Sequence, residues 1–111
     1  MAGKKGRKLR TIAYTKTFKK DYHRMAAAGR YDMELVNTVG GLLIAHTPQQ
    51  MLTQQWGDHA LTADDEWDDG DRDMHLGGDF LLIYRIDAHP EDKGMEIIIF
   101  KRLGTHSELF G

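Results

Sequence analysis

Two stretches of the chain decide its fold: D-F-L-L-I-Y-R-I-D, Asp79–Asp87, and M-E-I-I-I-F-K-R-L, Met95–Leu103. Both are rich in β-branched and aromatic residues, which are typical of pleated, well-buried strands. A polar turn over His89–Gly94 separates them, and a shorter strand over Arg72–Leu76 precedes them, joined by a Gly-Gly turn. The C-terminal half is therefore predicted to form an antiparallel meander.

Two helical patterns come before these strands. In the first, apolar residues recur at helical spacing; it is predicted to begin at Thr15 or Thr17 and to end near Gly29. The second is predicted to begin after Asp32 and to end near Pro48. Helices followed by antiparallel strands make an α+β fold, with about four strands if residues 9–14 also join the sheet. With 111 residues and 41% hydrophobic content, the whole chain is predicted to be one domain, residues 1–111.

Composition excludes several classes of protein. No apolar run approaches the roughly 18 residues of a membrane-spanning helix, and the basic N-terminus leads into no signal peptide, so we expect a cytoplasmic protein without a membrane partner. The chain has no cysteine, which removes disulfides, thiolate nucleophiles and cysteine-based zinc sites. Any chemistry must come from the other polar side chains.

Charge is distributed unevenly along the chain. Residues 1–30 carry ten basic side chains and one acidic one, whereas the remainder carries five basic and 16 acidic ones. The basic segment suits an anionic partner such as nucleic acid, and three of its lysines are candidate contacts to that partner: Lys16, Lys19 and Lys20. For residues 1–8, a disordered basic tail is an equal alternative. The acidic stretch Asp64–Asp71 is predicted to be a solvated loop.

Three of the six histidines lie where strand ends or loops would expose them: His59, His75 and His106. Histidine exchanges protons near neutral pH, so converging histidines are suited to acid–base catalysis without a metal. Sequence spacing alone does not show convergence. The other three, His23, His46 and His89, are interpreted as surface or cap residues.

The position of one carboxylate depends on the Gly77–Gly78 turn. Asp73 and His75 are two residues apart in a strand and point to the same face. A tight two-residue turn would place Asp79 on the opposite face, whereas a bulge or a wider loop would bring it beside His75.

The histidines and Asp79 could supply metal ligands, but they lack a close-spaced ligand pair, so we predict neither a metal nor a cofactor. The C-terminal segment allows two interpretations. In one, Leu109 and Phe110 simply close the core. In the other, Arg102 binds an anion, His106 donates a proton and Phe110 stacks on a base.

Several motifs resemble the YafQ branch of the RelE/ParE toxin superfamily. They are D-H-A-L (Asp58–Leu61), R-D-M-H (Arg72–His75), D-F-L-L-I-Y (Asp79–Tyr84) and F-K-R-L-G-T-H-S-E-L-F-G (Phe100–Gly111), with T-K-T-F-K-K-D (Thr15–Asp21) opening the first helix. The resemblance covers most of residues 10–111. It implies a RelE-like fold, in which two helices pack on a twisted antiparallel sheet.

The resemblance also implies a function. Members are toxins of type II toxin–antitoxin systems that cut mRNA in the ribosomal A site as metal-independent endoribonucleases, each held by a cognate antitoxin. Carried over, the catalytic set is His59, His75, Asp79 and His106, and the supporting set is Asp73, Arg102 and Phe110.

The chemistry expected from this set is attack of the ribose 2′-OH on the adjacent phosphorus. His59 or His75 would be the base, polarised by Asp79, with His106 as the acid and Arg102 on the phosphate. Two alternatives remain open: a non-enzymatic ParE-like toxin that poisons DNA gyrase, and an inactive RNA-binding relative. The three histidine motifs together favour the nuclease. The assembly formed with an antitoxin is left open.

Overall fold

The computed structural model describes residues 7–64 and 66–111, so most of the predicted basic tail lies outside the described residues. Five strands and four helices follow one another in these residues: β1 (Leu9–Tyr14), α1 (Lys16–Ala28), α2 (Glu34–Ile44), α3 (Gln49–Trp56), β2 (His59–Ala60), β3 (Arg72–His75), β4 (Leu81–Ala88), β5 (Met95–Gly104) and α4 (His106–Phe110). The α+β class is confirmed.

The sheet is mixed, with strand order β1-β5-β4-β3-β2. Strands β3 to β5 form the predicted antiparallel meander, and β2, which was not predicted, extends it next to β3. Strand β1 pairs in parallel with β5, with Leu9 opposite Met95 and Tyr14 opposite Phe100. The prediction of about four antiparallel strands is therefore wrong in number and in the direction of β1. Strand composition does not distinguish parallel from antiparallel pairing, and two-residue β2 is too short to give a pattern.

Helix α1 has the predicted ends: the Thr15 side chain accepts a hydrogen bond from the backbone N–H of Phe18, and Gly29 is left-handed at the C-terminus. The predicted second helix is α2, which ends at Ile44, a little before the predicted end near Pro48; the separate helix α3 that follows Pro48 was not predicted. Three helices therefore precede the meander, where two were predicted. No helix in residues 7–64 and 66–111 has the length and apolar character to cross a membrane.

Both faces of the sheet are covered. Residues alternate along β4, so Leu82 and Tyr84 pack under the helices with Phe18, whereas Leu81 and Ile83 face the other side. On that second face they form a smaller apolar cluster with Trp67 and Leu109.

The acidic segment is only partly solvated, contrary to prediction. Trp67 packs in the second cluster, and Asp71 is fully buried. The Asp71 carboxylate binds Lys101 Nζ at 2.8 Å and Arg85 Nη1 at 3.4 Å. The segment is therefore anchored to the sheet through an aromatic ring and a buried ion-pair group.

Helix α1 covers an exposed edge of β5. The pairing with β1 ends at Phe100, and beyond it three groups of α1 and its cap bind the β5 backbone. Thr15 Oγ1 donates to the Lys101 carbonyl at 2.8 Å, the Leu103 N–H donates to Asp21 Oδ2 at 3.0 Å, and Arg24 Nη2 donates to the Leu103 carbonyl at 3.3 Å. Unpaired strand edges are thereby avoided where β5 approaches the C-terminal helix.

Candidate active site

The turn between β3 and β4 is the wider of the two alternatives. The Leu76 N–H donates to the Phe80 carbonyl at 2.7 Å, and His75 lies opposite Leu81, so Gly77, Gly78 and Asp79 form a three-residue loop. This loop carries Asp79 to the start of α4. There, Asp79 Oδ1 accepts hydrogen bonds from the His106 backbone N–H at 2.7 Å and from His106 Nδ1 at 2.6 Å.

Asp79 and His106 form an exposed pair. Each side chain is 56% exposed. The His106 backbone N–H and then the His106 ring lower the pKa of Asp79, because both hydrogen bonds stabilise the carboxylate. Asp79 was expected to polarise His59 or His75, but the structure gives it His106 as its partner. An ionised Asp79 on Nδ1 leaves Nε2 of His106 free to face a substrate.

His59 enters the site directly after helix α3. The helix ends at left-handed Gly57, and His59 pairs with Asp73 in the short β2–β3 ladder. His59 Nδ1 lies 2.9 Å from the Gly57 carbonyl oxygen, which can only accept, so Nδ1 is the donor. In neutral His59 the free lone pair is therefore on Nε2, 3.6 Å from Asp73 Oδ2.

His75 lies between the other two histidines. Its ring centroid is 6.0 Å from that of His59 and 5.7 Å from that of His106, and its Nε2 is 3.8 Å from Asp73 Oδ2. The ring rests against Gly57, where a Cβ atom would lie 3.0 Å from His75 Cδ2. Glycine at this position therefore allows both the left-handed helix end and the close approach of the imidazole.

Asp73 is the buried carboxylate next to His59 and His75. Its side chain is 3% exposed, and Oδ1 has no hydrogen-bond partner among the described residues. Burial raises the pKa of Asp73, and the nearby His75 and His59 oppose that rise. Asp73 and His75 share a face, as predicted.

Phe110 lies at the rim of this cluster. It is 42% exposed, with its ring centroid 6.2 Å from that of His106 and 5.5 Å from that of Trp67. Leu109, by contrast, is buried in the second apolar cluster. The C-terminal helix therefore closes the core with one residue and presents the next beside the histidines. Thr105 starts this helix with a capping box.

Arg102 is on the same face but already has a partner. It lies opposite Ile83, which lies opposite Asp73, so Arg102 and Asp73 are two strands, or about 10 Å, apart. Its Nε binds Asp21 Oδ2 at 2.8 Å, and its side chain is 32% exposed. The predicted phosphate contact would come from a guanidinium held at the edge of the site.

The three predicted lysine contacts lie elsewhere. Lys16, Lys19 and Lys20 are exposed on helix α1, which runs along β5, and they are not part of the histidine cluster in the described residues. They form a separate basic surface.

Sequence reasoning missed the buried carboxylate of Asp58. It accepts hydrogen bonds from Tyr84 Oη at 2.8 Å, from Arg72 Nε at 3.1 Å and from the Gln49 amide. Asp58, the residue before His59, therefore links α3, β3 and β4. Burial, followed by the charge of Asp58, raises the pKa of Tyr84. The D-H-A-L motif contains Asp58, but none of its partners is adjacent in sequence.

The chain matches one family of known proteins along almost its whole length. A family model described as a bacterial toxin of type II toxin–antitoxin system, YafQ, matches residues 10–111. The mRNA interferase toxin YafQ of Escherichia coli strain B / BL21-DE3 is 35% identical over 102 residues, which are 92% of this chain and 97% of that protein.

Solved structures give the same result. The crystal structure of YafQ from E. coli strain BL21(DE3) has a TM-score of 0.67 at 32% identity, covering 92% of this chain and 99% of that chain. YafQ in the E. coli DinJ–YafQ complex has a TM-score of 0.66 with the same identity and coverage.

The fold and the relatives together define a toxin of RelE-like fold from the type II toxin–antitoxin class. The membership can be stated more closely, because the family model spans nearly all of the chain. The chain belongs to the YafQ family, as its motifs predicted.

Proposed function

We propose that this toxin is an mRNA interferase that cuts ribosome-bound mRNA through attack of a ribose 2′-OH on the adjacent phosphorus. The observation that carries the proposal is the line of three imidazoles, His59, His75 and His106, with centroid separations of 6.0 and 5.7 Å on one exposed face. The curated relative from E. coli is named an mRNA interferase. Cleavage of this kind needs a base, an acid and positive charge beside the phosphorus.

His59 is the base in this mechanism. Its Nδ1 hydrogen is donated to the Gly57 carbonyl, so the Nε2 lone pair is available to take the 2′-hydroxyl proton. Asp73 Oδ2, 3.6 Å away, is placed to stabilise the imidazolium that results.

His106 is the acid. The Asp79 carboxylate holds its Nδ1 at 2.6 Å and stabilises the protonated ring, so that Nε2 can donate a proton to the departing 5′-oxygen. The 2′-oxygen bonds to phosphorus as the bond to the 5′-oxygen breaks, which leaves a 2′,3′-cyclic phosphate and a 5′-hydroxyl. His75, between the two, is positioned to contribute positive charge to the phosphorane, with Arg102 at the edge of the site.

The ribosome supplies what the isolated chain lacks. The histidine cluster lies on an open face, and a mobile mRNA strand would have to be held in line for attack. Fixing that strand in the A site would provide the orientation, which is why we expect cleavage to depend on the ribosome. Phe110 would stack on a base beside the scissile phosphate, and the α1 lysines would contact RNA outside the site.

An antitoxin is the expected protein partner. The E. coli relative is solved in the DinJ–YafQ complex. A co-encoded antitoxin would here cover the histidine face and block access of mRNA. Because the proposed substrate is on the ribosome, the site of action would be the cytoplasm.

The test is cleavage of mRNA on purified ribosomes by the full chain and by His106→Ala. Loss of a general acid is worth about 10² to 10⁴ in rate, so His106→Ala should leave no detectable cutting in the time that wild type needs to finish. His23→Ala on exposed α1 is the matched control and should cut at the wild-type rate. Product ends should be 2′,3′-cyclic phosphates.

Other outcomes would contradict specific parts of the proposal. Wild-type cutting by His106→Ala would remove this residue from the mechanism. If the wild-type chain does not cut mRNA but inhibits supercoiling by DNA gyrase, the non-enzymatic alternative is correct.

A further inference from the structure

Three side chains in the site hold potential ligand atoms for a metal ion close together. His59, Asp73 and His75 each present one ligand atom, and these atoms all lie within 4.8 Å of one another. Asp73 Oδ2 is 3.6 Å from His59 Nε2 and 3.8 Å from His75 Nε2. A tetrahedral zinc site with bonds of about 2.0–2.1 Å brings ligand atoms to about 3.3 Å from each other. Both distances from Asp73 Oδ2 are within about half an ångström of that spacing, and side-chain rotations would bring the two imidazoles, whose ligand atoms are at most 4.8 Å apart, to it as well.

The buried carboxylate provides a second, independent observation. Asp73 Oδ1 is buried without a hydrogen-bond partner, although the other buried acids of the described residues each bind cationic groups. A buried carboxylate that no cationic group neutralises is costly, and coordination of a cation by Oδ2 would compensate its negative charge. Neither His59 nor His75, at 3.6 and 3.8 Å from Oδ2, is within hydrogen-bond distance.

The surroundings also orient the two imidazoles for metal binding. Metal-bound histidines usually donate their second ring N–H to a carbonyl or a carboxylate, which fixes the tautomer. His59 Nδ1 has this contact with the Gly57 carbonyl, and the close packing of His75 against the Gly57 backbone restricts its ring. Two histidines and a carboxylate suit Zn²⁺ and leave one coordination position open, whereas Mg²⁺ prefers oxygen ligands alone.

We propose that His59, Asp73 and His75 bind one Zn²⁺ ion, and that the bound ion inhibits RNA cleavage. The ion would occupy the Nε2 lone pair that His59 needs as a base, and it would hold His75 away from the phosphate. Zinc is an inhibitor in this scheme and no part of the reaction. The inhibition rests on the proposed function, but the binding does not.

Binding is measured first, on the full chain by isothermal titration calorimetry with zinc chloride. We expect one Zn²⁺ per chain, with affinity falling at least tenfold in Asp73→Asn and in His75→Gln. His23→Gln, the same change on an exposed helix, should bind like wild type, and MgCl₂ should give no binding.

Cleavage is measured second, with toxin that is loaded with zinc, freed of excess metal and added to ribosomes with mRNA. We expect at least a tenfold lower rate than for metal-free toxin, and recovery when a zinc-selective chelator is added. A wild-type chain that cuts mRNA yet binds no zinc overturns the metal site and leaves the function intact. Binding that survives both ligand substitutions also overturns it. Full activity of the zinc-loaded toxin overturns the inhibition, and a metal-free toxin that never cuts overturns the function alone.

Discussion

Asp58 and Asp73 are both buried carboxylates, and they lie on opposite faces of the sheet at strand β3. Asp58 binds Arg72 of that strand, whereas Asp73 is one of its residues, and the surroundings of the two carboxylates differ. On the helix-covered face, Asp58 receives hydrogen bonds from Tyr84, Arg72 and Gln49. On the other face, one oxygen of Asp73 has no hydrogen-bond partner among residues 7–64 and 66–111, and the two neighbouring histidines lie beyond hydrogen-bond distance.

The difference indicates that Asp58 stabilises the fold, whereas Asp73 has its role in the histidine site. Removing one member of a buried ion pair is strongly destabilising, because the partner is left as a buried charge without an opposite charge beside it. A buried carboxylate without such partners destabilises the fold and is retained where function requires it. By this criterion, Asp58 belongs with Asp21 and Asp71, which also bind cationic groups, and Asp73 stands apart.

The largest effect is expected from Asp58→Ala. The change leaves the Arg72 guanidinium and the buried Tyr84 hydroxyl without their acceptor, so the free energy of unfolding should fall by about 3–5 kcal/mol. Urea unfolding followed by tryptophan fluorescence measures it. Asp69→Ala, at an exposed position, is the matched control and should change stability by no more than about 0.5 kcal/mol. Equal effects of the two substitutions would show that Asp58 is not a structural centre.

Asp21→Asn should have the next largest effect, with a characteristic dependence on pH. Burial by itself would raise the pKa of Asp21, but hydrogen bonds from Arg102, Arg24 and the Leu103 N–H lower it overall. A lowered folded-state pKa gives stability that is present above the unfolded value and is lost as pH falls through the folded value.

Wild type should therefore be more stable than Asp21→Asn by about 2 kcal/mol at pH 7, and the gap should narrow below about pH 5. Urea unfolding of both proteins from pH 7 to pH 3 measures it. A gap that stays constant over this range would mean that Asp21 acts through its shape and not through its charge. Asp92→Asn in the exposed β4–β5 turn is the control for a general effect of charge.

The contrast also shows how far the sequence alone was informative. The strands β4 and β5 and the ends of α1 followed from local composition and caps. The grouping of His59, His75 and His106 was expected from family motifs, since spacing alone leaves three histidines on three separate elements. The sequence did not decide on which face of the sheet Asp79 lies, because it did not fix the length of the β3–β4 loop. The hydrogen bond between Leu76 and Phe80 in the structure decides it.

Other features depend on contacts between distant parts of the chain. Asp21 binds Arg102, and Asp58 binds Tyr84, 26 residues away. No periodicity marks such partners, so the buried acids look like ordinary surface residues in the sequence. Helix α3 was not predicted, because its eight residues are mostly polar and carry too few apolar positions to form a helical pattern.

The smallest effect, and the one with the opposite sign, is expected from Asp73→Asn. Burial raises the pKa of Asp73, so its ionised form costs stability at neutral pH. Because the folded-state pKa lies above the unfolded value, the contribution of Asp73 to stability is favourable at low pH and is lost as pH rises through the folded value. The neutral amide avoids that loss, so Asp73→Asn should be more stable than wild type by about 1 kcal/mol at pH 7, while it cuts mRNA more slowly.

Thermal and urea unfolding at pH 7 and pH 4 measure this difference, which should shrink at the lower pH as wild-type Asp73 takes up a proton. Asp71→Asn is the matched control, because it makes the same change at a buried carboxylate that binds Lys101 and Arg85, and it should lower stability. If both amides destabilise the fold alike, then Asp73 is a structural acid like Asp58, and the unpartnered oxygen does not mark the site.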